Sequence, residues 1–152
     1  MKKLLSLIIL LMLICFSVQA KEYTFDEVKE CEPLDYTINR LCDLNNVFVT
    51  GKIKSYYENG NLKEEGNFKD GKAEGLVKGF YENGNLEREE NYKDGKLEGL
   101  TKIYYENGNL KFEVNFKDGK AVSGYMYDIY GKRTKMTNAH LHNLTKDLPK
   151  AD

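Results

Sequence analysis

The chain has 152 residues, of which 31% are charged and 41% are hydrophobic, with 13 Gly, 2 Pro and no Trp. These values fit a single domain and exclude the collagen-like and low-complexity classes. The 23 basic and 24 acidic residues leave a formal charge of −1, so no strong overall field favours nucleic acid or an anionic membrane as the partner.

The first segment, residues 1–20, has the pattern of a signal peptide. Two lysines precede an apolar run at residues 4–18, and Val18 and Ala20 place small side chains at the two positions that a signal peptidase reads. The run is shorter than the ~20 apolar residues that span a bilayer. A membrane anchor, or a lipid attached at Cys15, is the alternative interpretation. We expect cleavage after Ala20 and export to the periplasm or out of the cell.

Residues 21–46 are predicted to form an N-terminal cap. Export would leave the chain with two cysteines, Cys31 and Cys42, in a compartment where thiols tend to oxidise, so we expect one disulfide between them. Closing this loop would stabilise the fold by about 2–3 kcal/mol. Two separate buried thiols are the alternative. Thr24 and Glu27 have the spacing of a capping box and predict a short helix in this segment.

A 24-residue period organises residues 47–131. Three consecutive segments, 51–74, 75–98 and 99–122, align without a gap and are identical at 14 of 24 positions. Each segment contains the sequence YENGNL and, seven residues later, the sequence KDGK. The middle of the chain is therefore a set of tandem repeats.

The Asn-Gly and Asp-Gly pairs predict the turns of these repeats. Such pairs best tolerate positive φ at both central positions of a type I′ turn, which joins the two strands of a hairpin. They recur about every 12 residues, which leaves no room for a helix of normal length and predicts two strands per repeat. The predicted turn residues are Asn59, Gly60, Asp70, Gly71, Asn83, Gly84, Asp94, Gly95, Asn107, Gly108, Asp118 and Gly119.

The fold class that follows is all-β, an elongated single-layer antiparallel meander of tandem hairpins with short helical or irregular caps. With two-residue loops, Tyr57 would lie opposite Leu62 and Phe68 opposite Ala73, which would build two apolar ladders on one face. A sandwich or a closed barrel is the alternative, and it would need one consistently apolar face. The opposite face is predicted to mix aromatic and charged residues: Tyr56, Phe80 and Tyr104 with Lys54, Lys78, Lys102, Glu65, Glu89 and Glu113.

Residues 132–152 are predicted to form a C-terminal cap. Before them, residues 125–131 resemble a degenerate fourth repeat, and the preceding Ser123 stands where the 24-residue period would place Gly. Residues 137–147 are predicted to form a short helix over the last edge, because repeat arrays need terminal covers.

The repeated pattern Gly-x-x-Lys-x-aromatic-Tyr-Glu-Asn-Gly-Asn-Leu, followed by aromatic-Lys-Asp-Gly-Lys, resembles the bacterial variant of the MORN repeat, which occurs in proteins described as antitoxin components of toxin–antitoxin pairs. The resemblance covers about residues 47–131. It implies antiparallel hairpins in a row, no cofactor, and a role in binding proteins or lipid surfaces.

The sequence offers little to support catalysis or metal binding. His140 and His142 are the only histidines, and a metal pair is the alternative to two ordinary exposed side chains. Ser55 and Ser123 lie in the repeats, far along the chain from the histidines, so no catalytic triad is indicated. We therefore expect no enzyme activity, no cofactor and no metal. The repeated acidic residues Glu58, Glu82 and Glu106 flank turns and are predicted to be solvated.

The predicted function is that of an exported, non-enzymatic scaffold that binds another protein. Tyrosine-rich surfaces offer a large contact area at low entropy cost, and the regularly spaced lysines together with the tyrosine rows are predicted to form the docking face. Solubility and edge protection are the alternative role of the lysines. An immunity or antitoxin protein that neutralises a toxin is one alternative, and binding of envelope lipid or polysaccharide through the lysine rows is another; nucleic acid is not expected. The candidate binding residues are Tyr56, Tyr57, Phe80, Tyr81, Tyr104, Tyr105, Lys69, Lys93 and Lys117.

Overall fold

The computed structural model describes residues 21–30, 41–45 and 47–146. The predicted signal peptide, Cys31 and the last six residues lie outside the described residues. Most of the described chain is β-strand in one large sheet, and the described part contains one short α-helix. The predicted all-β architecture is confirmed.

The strands are β1 (Glu22–Thr24), β2 (Val28–Glu30), β3 (Leu41–Asp43), β4 (Gly51–Tyr56), β5 (Leu62–Lys69), β6 (Lys72–Ala73), β7 (Gly75–Phe80), β8 (Leu86–Lys93), β9 (Lys96–Leu97), β10 (Gly99–Tyr104), β11 (Leu110–Lys117), β12 (Lys120–Tyr127) and β13 (Arg133–Lys135). The helix α1 spans Asn138–Lys146. The order in the large sheet is β1-β4-β5-β7-β8-β10-β11-β12-β13, with β6 paired to β5 and β9 to β8. The hairpins are antiparallel, as predicted, whereas β1 joins β4 in a parallel pair.

The helix predicted in the N-terminal cap is reduced to one 3₁₀ turn, Phe25–Glu27. The capping signal itself is used: Glu27 Oε2 accepts hydrogen bonds from the Thr24 N–H at 2.8 Å and from Thr24 Oγ1 at 3.1 Å. The turn cannot continue as a helix because the next residues form β2, which pairs with β3. Pairing with a distant strand has overridden a local helix signal.

The predicted disulfide involves one residue outside the described part of the chain. Cys42 lies on β3 opposite Lys29, and only 1% of its surface is exposed. Its predicted partner, Cys31, is not among the described residues, so the bridge stays a prediction.

The Asp-Gly pairs form the two-residue turns that the sequence predicts. Asp70 has φ 51° and Gly71 has φ 77°, and the flanking residues Lys69 and Lys72 pair directly. Positive φ at both central positions is the requirement of a type I′ turn. Asp94 and Asp118 have the same conformation, with φ 51° and 49°.

The Asn-Gly pairs form a different turn, so the type I′ prediction is wrong for them. Gly60 has φ 84°, but the φ of Asn59 is not positive. The Gly60 N–H donates to Tyr57 O at 2.9 Å, and the Tyr57 N–H donates to Asn61 O at 2.8 Å, which closes a three-residue loop that ends on a left-handed glycine. The register then shifts by one, and Leu62 lies opposite Tyr56 instead of Tyr57.

The two faces of the sheet differ in what covers them. We call the face that carries Ile53, Val77 and Thr101 the capped face, because both buried clusters lie on it. We call the other the open face; strand alternation places Lys54 and Tyr56, with their counterparts in later repeats, on it. The N-terminal cluster consists of Tyr23, Val49 and Ile53, and the C-terminal cluster of Leu97, Val114, Phe116, Met136 and Leu141.

The C-terminal cap is formed largely as predicted. A fourth turn runs from Asp128 to Gly131, whose N–H donates to Asp128 O at 2.9 Å. Thr137 precedes α1, and Thr137 Oγ1 accepts a hydrogen bond from the His140 N–H at 3.3 Å. Leu141, 8% exposed, packs from α1 onto the C-terminal cluster. The helix therefore covers the last strands from the capped face.

Thr101 is the buried polar side chain on the capped face, and among the described residues its Oγ1 has no hydrogen-bond partner. The preceding repeat has Val77 at this position. We expect Thr101→Val to raise the free energy of unfolding by about 1 kcal/mol, because it removes an unpaired hydroxyl without loss of volume. The matched change Val77→Thr should lower it by about 1–3 kcal/mol. Urea unfolding measures both, and a destabilised Thr101→Val would contradict the assignment.

Candidate functional site

A ladder of opposite charges runs along the middle of the open face. Lys54, Glu65, Lys78, Glu89, Lys102 and Glu113 lie directly opposite one another on successive strands. Within the ladder, Lys78 Nζ lies 3.8 Å from Glu89 Oε1. Glu65 also forms an ion pair with Lys52, which is outside the ladder, at 2.7 Å between Oε2 and Nζ. Opposite charges in directly opposed positions stabilise neighbouring strands. The ladder contains three lysines and three glutamates, so its charges balance.

An aromatic row lies beside this ladder on the open face. Tyr56 is 51% exposed, and its counterparts Phe80 and Tyr104 are half-buried. The Tyr104 hydroxyl donates to Glu89 Oε2 at 3.0 Å. Burial of the ring, reinforced by this hydrogen bond, raises the pKa of Tyr104 to about 12. Leu76, 40% exposed, adds an apolar side chain on the same face.

The second tyrosine of each predicted pair has a different position and role. The hydroxyl of Tyr57 donates to Phe80 O at 2.6 Å, that of Tyr81 to Tyr104 O at 2.7 Å, and that of Tyr105 to Tyr127 O at 3.0 Å. Each bond links one repeat to the next. All three residues are half-buried. The structure therefore does not bring Tyr57, Tyr81 and Tyr105 together with the aromatic row of the open face.

The opposite turn edge is linked in a second way. The Asp94 N–H donates to Glu74 Oε2 at 3.0 Å, and the Gly95 N–H donates to Ala73 O at 3.0 Å. The same bonds join Asp118 to Glu98 at 2.8 Å, and Asp70 to Thr50 Oγ1 at 3.0 Å. Every Asp-Gly turn is thus held by the segment that precedes it.

The predicted lysines of this edge are exposed, but acidic groups surround them. A depression of about 190 Å³ is lined by Lys69, Asp70, Lys72, Glu74 and Asp94. Six lysines at this edge stand against three aspartates and two glutamates, which leaves almost no net charge. The members are Lys69, Lys72, Lys93, Lys96, Lys117 and Lys120, with Asp70, Asp94, Asp118, Glu74 and Glu98.

One charged group that the sequence analysis did not identify lies on the capped face. Arg88 forms ion pairs with Glu64, with Glu87 at 3.2 Å and with Glu90 at 3.3 Å. Burial alone would lower the pKa of Arg88, but the three carboxylates outweigh it and raise the pKa. The signal in the sequence is a departure from the repeat, since the equivalent positions hold Glu64 and Phe112.

Both histidines lie on the C-terminal helix. His140 Nδ1 accepts the Thr137 N–H at 3.3 Å, so this side chain caps α1. His142 lies on the same helix. Within the described ranges, no three His, Cys, Asp or Glu side chains come together to hold a metal ion. Among the described residues, no helix has the length and apolar composition of a membrane span.

Comparison with known proteins identifies the repeat. Residues 49–70, 73–94 and 97–118 match the family described as MORN repeat variant. The matches start 24 residues apart, which is the period of the turns and strands described above. Neither the curated proteins nor the solved structures include a significant match to this chain.

The tyrosine link between repeats is tested by Tyr81→Phe. This change removes the hydrogen bond to Tyr104 O and should lower the free energy of unfolding by about 1 kcal/mol. Tyr130→Phe is the matched control, because Tyr130 is 88% exposed and should tolerate the change. Equal urea midpoints for the two variants would contradict the link.

The raised pKa of Tyr104 predicts a loss of stability in alkali. The folded chain keeps this phenol neutral up to about pH 12, whereas an unfolded tyrosine ionises from about pH 10. The contribution is therefore complete below pH 10 and is lost as the pH rises from 10 to 12. Urea midpoints measured across this range should fall less steeply for Tyr104→Phe than for the wild type. Identical slopes would contradict the assignment.

Proposed function

We propose that the chain is an exported, non-enzymatic scaffold that binds another protein on its open face. Three tandem segments of the chain match the MORN repeat variant, and MORN repeats generally bind proteins or membranes. The observation that carries the proposal is the unequal cover of the two faces. Both caps pack on the capped face, whereas Tyr56 and Leu76 stay exposed on the open face. Tyrosine is one of the residue types that contribute most to the binding energy of protein interfaces.

The charge pattern supports a protein as the partner. Along the open face, each lysine of the ladder faces a glutamate on the neighbouring strand. A protein surface that alternates in sign can match such a pattern, whereas an anionic bilayer would meet as many carboxylates as ammonium groups. The same balance holds at the lysine edge, where Lys69, Lys93 and Lys117 each precede an aspartate. These observations favour protein binding over lipid or polysaccharide binding.

An immunity or antitoxin role is a narrower form of the same proposal. It requires that the bound protein be a toxin. Co-purification of the exported chain with the product of a neighbouring gene, and loss of that product's toxicity in the complex, would support this form. A partner without toxicity would leave the scaffold proposal intact and remove the antitoxin role.

Export and the disulfide belong to the proposal as well. Cleavage after Ala20 would make Lys21 the first residue, and Lys21 O accepts a hydrogen bond from the Lys52 N–H at 3.0 Å. Terminal sequencing of the exported protein should read Lys21 first. Mass analysis without reduction should show Cys31 joined to Cys42.

The docking face is tested by the double variant Tyr56→Ala/Leu76→Ser. Both side chains are exposed, so the fold should lose little stability. We expect the protein that the wild type captures from its own cells to be lost by this variant, because both anchors are removed. Tyr130→Ala removes an aromatic side chain that is 88% exposed in a turn, and it should keep the partner.

Two outcomes would contradict the docking face. Unchanged capture by the double variant would show that the partner binds elsewhere. Sedimentation of the wild type with phosphatidylserine vesicles, abolished when Lys69, Lys93 and Lys117 are changed to Glu, would support lipid binding in place of protein docking.

A further inference from the structure

One hexapeptide occurs three times in the chain, each time in an exposed turn. The sequence Tyr-Glu-Asn-Gly-Asn-Leu occupies residues 57–62, 81–86 and 105–110. The Asn and Gly residues of each copy are exposed. An Asn followed by Gly is chemically labile, because glycine has no side chain to block attack of its backbone nitrogen on the asparagine amide. The identical sequence gives the three sites the same intrinsic reactivity, so only tertiary contacts can separate their rates.

In the first two copies the turn amides are tied to the following repeat. Asn59 Nδ2 donates to Glu82 O at 3.3 Å, and Asn61 Nδ2 donates to the same carbonyl at 2.8 Å. Asn83 Nδ2 donates to Glu106 Oε1 at 3.4 Å, and Asn85 Nδ2 donates to Glu106 O at 2.8 Å. The side chain that must rotate toward the glycine nitrogen is therefore held in place from outside its own turn.

The third copy lacks this restraint. Asn107 Oδ1 accepts the Asn109 N–H at 3.0 Å, as in the other copies. Among the described residues, however, no acceptor receives a hydrogen bond from the side-chain amide of Asn107 or Asn109. The following turn, Asp128 to Gly131, comes one residue earlier than the 24-residue period requires, and it has Ile129 where the earlier turns have Glu82 and Glu106.

We propose that Asn107 is a site of spontaneous deamidation and that it reacts ahead of Asn59 and Asn83. The Gly108 nitrogen attacks Asn107 Cγ and forms the new C–N bond of a cyclic imide. The Gly108 N–H proton moves to the departing amide nitrogen, which leaves as ammonia when its bond to Cγ breaks. Water then opens the ring: addition at Cγ gives aspartate, and addition at the backbone carbonyl carbon gives isoaspartate.

The product would alter this turn in two ways. Both products place a new carboxylate next to Glu106, on the turn edge that already carries Glu58 and Glu82. The isoaspartate product also inserts a methylene group into the main chain between Tyr105 and Asn109. These two residues close the loop, because the Tyr105 N–H donates a hydrogen bond to Asn109 O at 2.8 Å. The reaction would therefore loosen the hairpin of β10 and β11 and leave the first two hairpins intact.

The experiment follows the three sites within one chain. The folded protein is incubated at mildly alkaline pH and then digested with trypsin, which releases the sites in the separate peptides 55–63, 79–88 and 103–111. Deamidation of Asn107 should be about fivefold faster than that of Asn59 or Asn83, the factor equivalent to one hydrogen bond of about 1 kcal/mol. In urea the three rates should converge. Equal rates in the folded chain, or a faster reaction at Asn59, would overturn the proposal.

A matched pair of variants tests the cause. Asn85→Ala removes the bond to Glu106 O and should raise the rate at Asn83 toward that at Asn107. Asn109→Ala makes the same change in the third copy, where the side chain has no such bond, and should leave the rate at Asn107 unchanged. Equal effects of the two variants would assign the difference to local sequence and contradict the tertiary restraint.

Discussion

Hydrogen bonds at the two turn edges hold successive repeats together, and the sheet depends on them. Strand pairing between repeats is brief: β5 meets β7 only where Glu64 and Glu65 lie opposite Gly79 and Lys78. At one edge a tyrosine hydroxyl reaches a carbonyl of the following repeat, and at the other edge the amides of an Asp-Gly turn reach the preceding one. Each repeat is thus bound to its neighbours at both ends of its strands. The stability of the array therefore depends on the interfaces between neighbouring repeats.

The same links explain where the array stops. The fourth turn begins with Asp128 where the earlier turns begin with tyrosine, so this position has no hydroxyl to bind a further repeat. Beyond it, β13 is short, and its three residues are exposed, with basic side chains at both ends. Short, charged edge strands resist pairing with other chains. The helix α1 then covers the capped face, where Val114 and Phe116 would otherwise meet solvent.

The period, the strands and the charged ladder were predictable because they rest on patterns within each repeat. The turn type at Asn59 could not be predicted, because Asn-Gly fits both a two-residue and a three-residue loop. The three-residue loop shifts the cross-strand partner of Leu62 from Tyr57 to Tyr56. The role of Tyr57 depends on a carbonyl 23 positions along the chain, which no local signal reveals. The ion pair of Arg88 with Glu64 likewise joins separate strands, and in the sequence Arg88 stands out only because it departs from the repeat.

The repeats are similar in sequence but differ in their neighbours, and the two faces of the sheet contribute differently to the fold. The capped face obtains its burial from the caps at its ends, and in its middle it carries Arg88 with its carboxylates. The turn edges supply the links between repeats. On the open face, Tyr56 and Leu76 are exposed and serve neither task, so these two side chains can change with little effect on the fold. A repeat sheet built this way can acquire a partner on one face without rebuilding the structure that supports it.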